Sequence, residues 1–99
     1  MSMEITKMLV LSTNHVTQET DEMFSEALRD GVSFPVGLYA KGHYGWFLNV
    51  SEDPHNVEEH PWMTPDLYKV LRFARDQDCD WVMLDRDGDI IDELPSYAW

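Results

Sequence analysis

Two short apolar runs near opposite ends of the chain constrain the fold most: MLVL at Met8–Leu11 and WVML at Trp81–Leu84. Each is too short for a buried helix and is bounded by polar or turn residues, so each reads as a strand with both faces covered. Ile5 to Leu11 and Asp80 to Asp85 are therefore expected as strands in the middle of one sheet. Pairing them would tie the two ends of the domain together.

What lies between them alternates in period. Thr17 is an N-cap, followed by Glu19, Asp21 and Glu22, and Met23, Phe24, Ala27 and Leu28 recur at helical spacing. Gly31 suits the residue after a helix end, so a helix is expected over about 17 to 30. Phe34 to Ala40 and Trp46 to Val50 read as a hairpin around the KGHYG turn, with Pro35 placing its strand at an edge. Ser51 to Thr64 is a long polar loop. Thr64-Pro65-Asp66 starts a second helix with Leu67, Val70, Leu71 and Ala74 inward, ending near Gln77. Asp87-Gly88 is a turn signal, and Ile90 to Leu94 reads as a last short strand.

The expected architecture is a single α+β domain over residues 1–99, in β-α-β-β-α-β order. It is a ferredoxin-like split β-α-β sandwich with two helices on one face of an antiparallel sheet, the first and fourth strands central, and a short C-terminal hairpin extension.

Charge sets the function classes. Nineteen acids against seven bases give a formal charge of −12 across 99 residues. That field repels nucleic acid and anionic membrane and attracts basic surfaces. Cys79 is the single cysteine, so no internal disulfide forms, which fits a reducing cytoplasm. The N-terminal apolar run is too short for a signal segment or a membrane span. A cytoplasmic protein is expected.

Residues 76 to 93 hold eight of the acids and one arginine. Alternate residues on a strand lie about 6.6 Å apart on one face. A strand-borne row at Asp85, Asp87 and Asp89 would then approximate a line of phosphates. Asp76, Asp78, Asp85, Asp87, Asp89, Asp92 and Glu93 are the candidate partner-binding acids. Trp62 and Trp99, outside the expected core, are the candidate anchors.

Other chemistries fit less well. DRDGD places Gly88 at position 4 of a would-be calcium loop and Ser96 at position 12, against the required Gly at 6 and Glu at 12. His55 and His60 are five apart, between Pro54 and Pro61, with no cysteine near, a poor zinc pattern. Ser12 and His15 lack an orienting group and an oxyanion hole. Asp78 and Asp80 flank Cys79 and disfavour a thiolate. Tyr39, Tyr44, Trp46, Trp62, Tyr97 and Trp99 could stack bases, but the basic cluster Lys69, Arg72 and Arg75 lies on the second helix. No catalytic residue, cofactor or metal is expected.

The frame S-T-x-H (Ser12, Thr13, His15), Y-G-W (Tyr44, Gly45, Trp46), L-D-R-D-G (Leu84 to Gly88) and L-P-x-Y-x-W (Leu94, Pro95, Tyr97, Trp99) resembles a family of short uncharacterised proteins. They are carried on bacterial plasmids, integrative elements and phages. The resemblance spans Lys7 to Trp99 and implies no activity or cofactor. It implies a mobile-element setting, in which small acidic proteins counter host defence. The expected function is binding and inhibition of a nucleic-acid-binding defence complex, of anti-CRISPR or anti-restriction type, through its basic surface. Neither nucleic acid nor membrane is bound directly, and the protein acts as a monomer or homodimer in the host cytoplasm. The alternatives are an accessory interaction module of the element, or a small metal-binding or hydrolytic protein using His15 or the His55/His60 loop.

Overall fold

The computed structural model describes residues 3–31, 34–50 and 59–99. The elements are β1 (Met8–Ser12), a 3-10 turn (Thr13–His15), α1 (Gln18–Asp30), β2 (Leu38–Lys41), β3 (Gly45–Asn49), α2 (Pro65–Asp76) and β4 (Trp81–Asp85). The α+β class and the β-α-β-β-α-β order stand as expected.

Both helices begin and end where their chemistry dictates. The Thr17 hydroxyl accepts the Thr20 amide at the start of α1, and Gly31 closes it at φ 64°, a left-handed conformation that costs glycine little. Thr64 caps α2 in the same way, with Pro65 in its first turn. The two N-termini meet at Asp66. Its carboxylate accepts the Thr17 amide at 2.8 Å and the Thr20 hydroxyl at 2.7 Å, and the Thr20 and Thr64 hydroxyls are 2.9 Å apart.

The sheet order is β1-β4-β3-β2. β1 and β4 do pair, but in parallel, while β4–β3 and β3–β2 are antiparallel. The wiring thus differs from the expected all-antiparallel sheet with β1 and β4 both central: the sheet is mixed, β3 and β4 are central, and β1 is an edge. Gly45 permits the close approach of β3 to β4: a Cβ there would stand 1.8 Å from the Leu84 carbonyl oxygen.

Register assigns the faces. Leu11, Leu84, Trp46, Val82, Leu48 and Leu38 share one face with both helices, and all but the half-buried Trp46 belong to the buried core. Phe24 of α1 meets Trp46 edge-on at 5.3 Å. α2 contributes Leu67, Val70, Leu71 and Ala74. The opposite face carries Met8, Val10, Trp81, Met83, Phe47 and Tyr39 and, among the described residues, no helix.

The C-terminal hairpin does not form. Residues 86–99 contain no strand; they run back as an irregular tail. Leu94 enters the core at 9% exposure, and Ile91 packs against it. These side chains are the apolar signal that reads as a strand. Among the described residues no helix is long and apolar enough to cross a membrane. The His55 position and most of the 51–64 loop lie outside the described residues.

Candidate functional site

The tail returns to the turn after β1, and that return builds the site. Ser12 caps the turn, its hydroxyl accepting the Asn14 amide at 3.1 Å. The Asn14 side chain donates to the Tyr97 carbonyl at 2.9 Å, and the Tyr97 amide donates to the Asn14 carbonyl at 2.7 Å. The Trp99 indole N–H donates to the Val16 carbonyl at 3.0 Å. The Ser12 amide donates to the Asp89 carbonyl at 2.9 Å. Gly88 is required here, since a Cβ would lie 2.4 Å from the Leu11 carbonyl oxygen.

His15, 1% exposed, is the bolt of this closure. The Ile91 amide donates to Nε2 at 3.0 Å. That makes Nε2 the acceptor, so the ring proton sits on Nδ1 and is donated to the Pro95 carbonyl at 2.8 Å. Both nitrogens are engaged by backbone groups of the tail. The Ser12 hydroxyl is engaged with Asn14 as the turn cap. His60 holds the Trp62 amide on Nδ1 at 3.1 Å.

Beside the closure lies a cleft of about 220 Å³ at the C-terminal ends of β1 and β4. The turn after β1 contributes Thr13, the β2–β3 hairpin His43 and Trp46, the turn after β4 Arg86, and the tail Trp99, with Asp21 and Ser25 of α1 across from them. All four segments singled out in the sequence therefore supply a wall. The Trp46 indole donates to Asp21 at 2.7 Å, fixing that carboxylate. Asp21, Ser25 and His43 carry no motif signal; only the bracketing glycines of GHYG mark the turn that presents His43.

The acids are not one row. Asp85 alone is on β4; Asp87 is in the following turn and Asp89 beyond it, so the strand-borne line of carboxylates is not formed. Asp85 is also not free. It pairs with Lys41 and accepts the Asp87 amide at 2.8 Å, and these contacts, Lys41 first, hold its carboxyl below the usual carboxylate range. Asp87, Asp89, Asp92 and Glu93 are exposed along the tail and make no ion pair among the described residues. Asp76 and Glu93 border a second, wider groove along α2, about 750 Å³, lined also by Lys69, Arg72 and Phe73. Asp78 follows α2 at φ 59°, beyond the opposite end of β4. The seven candidate acids thus fall into a tail group, a groove pair and an isolated Asp78. Of the two anchors, Trp62 is half-buried, its ring 6.5 Å from Phe34. Trp99 stays 46% exposed at the mouth of the cleft.

Residues 8–99 match the model of a family of unknown function, the DUF5983 C-terminal domain, and the chain belongs to that family. Neither the curated proteins nor the solved structures give a match.

Proposed function

Taking the chain as a member of this family, we propose that it is a non-catalytic binding domain whose acidic tail and cleft mouth engage a basic protein surface. One observation carries the reading. The tail is pinned by His15, Asn14 and Val16 through its backbone and the Trp99 indole, while the carboxylates of Asp87, Asp89 and Asp92 are exposed along it, without an ion pair among the described residues, and Trp99 at its end is also exposed. A fixed tail carrying exposed acids, ended by an exposed aromatic ring, suits recognition of lysines and arginines, with the ring as anchor. A basic patch that normally holds nucleic acid is the natural target. The resemblance to short proteins of plasmids, integrative elements and phages favours a host-defence complex, of the CRISPR or restriction type, and cytoplasmic action.

The test is binding to a purified CRISPR effector complex, with and without its DNA, at low and high salt. Binding that competes with DNA and weakens with salt supports the proposal. The paired variant Asp87→Lys/Asp89→Lys, which spares the structural Asp85, should lose it. Salt-insensitive binding, or binding unchanged in that variant, removes the tail acids from the function. Binding to another basic partner, with no effect on defence, would favour the accessory-module reading.

A further inference from the structure

The sheet face turned away from the helices carries an apolar row across all four strands. Register places Val10, Met83, Phe47 and Tyr39 in that row from edge to edge, with Met8, Trp81 and the exposed Asn49 in the next. Tyr39 and Trp81 touch diagonally at 5.9 Å. Met8 is 40% exposed, Val10 48% and Tyr39 56%, and Phe47, Trp81 and Met83 are partly exposed. An antiparallel sheet with a solvated face ordinarily puts polar side chains there.

We infer that this face is the interface of a homodimer, in which two copies stack sheet on sheet about a two-fold axis. Charge selects the occupant. The face's ionic residues, Lys41 and Asp85, neutralise each other, and the remaining positions are uncharged, on a chain of formal charge −12. Two such acidic molecules meet here without opposing carboxylates, while a basic partner would gain nothing from it. Shape agrees. An axis running along the strands between β4 and β3 sets β1 over β2 of the second copy. The smaller Val10 then lies opposite the large Tyr39, Met83 opposite Phe47, and Trp81 opposite Asn49. Aligned sheet packing of this kind separates the sheets by about 10 Å. The buried area is on the order of 1,000 Å² in total, at the low end for specific interfaces. The expected dissociation constant is therefore on the order of 10 µM.

Sedimentation equilibrium across a concentration series bracketing that value tests it. The wild type should pass from monomer to dimer, and added salt should strengthen the dimer by screening the acids elsewhere. That is the opposite of the salt response expected for a basic partner, so the two proposals fail separately. Val10→Lys/Met83→Lys should stay monomeric. Lysine lowers the net negative charge, so added repulsion cannot explain the loss. Circular dichroism checks the fold, and Val10→Lys alone, on the edge strand, serves if the pair does not fold. A wild type that remains monomeric throughout overturns the inference, and so does a folded variant that still dimerises.

Discussion

The Ile91 amide donates to His15 Nε2 at 3.0 Å, and the same ring donates from Nδ1 to the Pro95 carbonyl at 2.8 Å. One buried side chain thereby satisfies a donor and an acceptor of a segment that has no sheet ladder of its own. Removing it leaves both backbone groups without partners in a dry site, at about 1–3 kcal/mol each.

His15→Ala should therefore cost about 3–4 kcal/mol, adding a cavity to the lost bonds. A fall in melting temperature of roughly 12–30 °C follows for a domain of this size. His15→Phe keeps the volume but not the bonds and should remain well below wild type. Hydrogen exchange gives the local readout: the Ile91 amide and those nearby should exchange far faster in both variants. If His15→Phe equals wild type in urea denaturation, the hydrogen bonds are not what holds the tail.

Asp66 predicts an acid limb. Burial alone would raise its carboxyl; the hydrogen bonds from the Thr17 amide and from Thr20 and Thr64 outweigh this, and the net direction is downward. A carboxylate depressed in the folded state contributes stability that is fully present above its unfolded value, near 3.9. That contribution is lost as pH falls through the folded value. Stability should thus drop below about pH 4. Asp66→Asn should flatten that limb while lowering stability at neutral pH, because the amide accepts less strongly. Urea midpoints from pH 7 down to pH 3 in both proteins check the slope; equal slopes would clear Asp66.

Gly45→Ala should be among the most damaging single-methyl changes. Its Cβ would overlap the Leu84 carbonyl, a backbone atom of the neighbouring central strand that cannot rotate aside. A loss above about 3 kcal/mol is expected, or failure to fold. Gly42→Asn is the control. Gly42 sits at φ 54° with open space around it, and asparagine tolerates that conformation, so the cost should stay near or below about 1 kcal/mol. Thermal melts of the two variants decide it.

How far the fold was legible depends on how local each signal was. Thr17, Gly31, Thr64 and Pro65 act within a turn of their own helix, and both helix boundaries follow from them to within a residue. The sheet order was not legible, because MLVL and WVML look alike while sitting differently. Val82 and Leu84 are fully buried, whereas Met8 and Val10 are apolar but exposed. The placement of β4 rests on long-range pairing, seen where Gly45 closes on Leu84, thirty-nine positions away. The tail misleads for a related reason: Ile91 and Leu94 supply an apolar pattern, but their backbone is satisfied by His15, not by a strand. In the site, Trp99 was recognisable as a surface aromatic. Asp85 was not recognisable as paired, since Lys41 lies far away in the chain.

Trp99 separates stability from binding. Its indole N–H holds Val16, yet 46% of the residue is exposed. Trp99→Phe keeps an aromatic face and loses one hydrogen bond, costing about 1 kcal/mol of stability. Trp99→Ala should cost about 2 kcal/mol more, because just over half of the residue is covered. Partner affinity should respond differently. As an interface anchor the ring is worth about 2 kcal/mol or more, a fall of at least roughly 30-fold for alanine and much less for phenylalanine. Calorimetric titration against the basic partner, alongside urea denaturation of each variant, reads both axes. An alanine variant that binds as wild type would move the anchor away from the cleft mouth and leave the tail carboxylates to carry recognition alone.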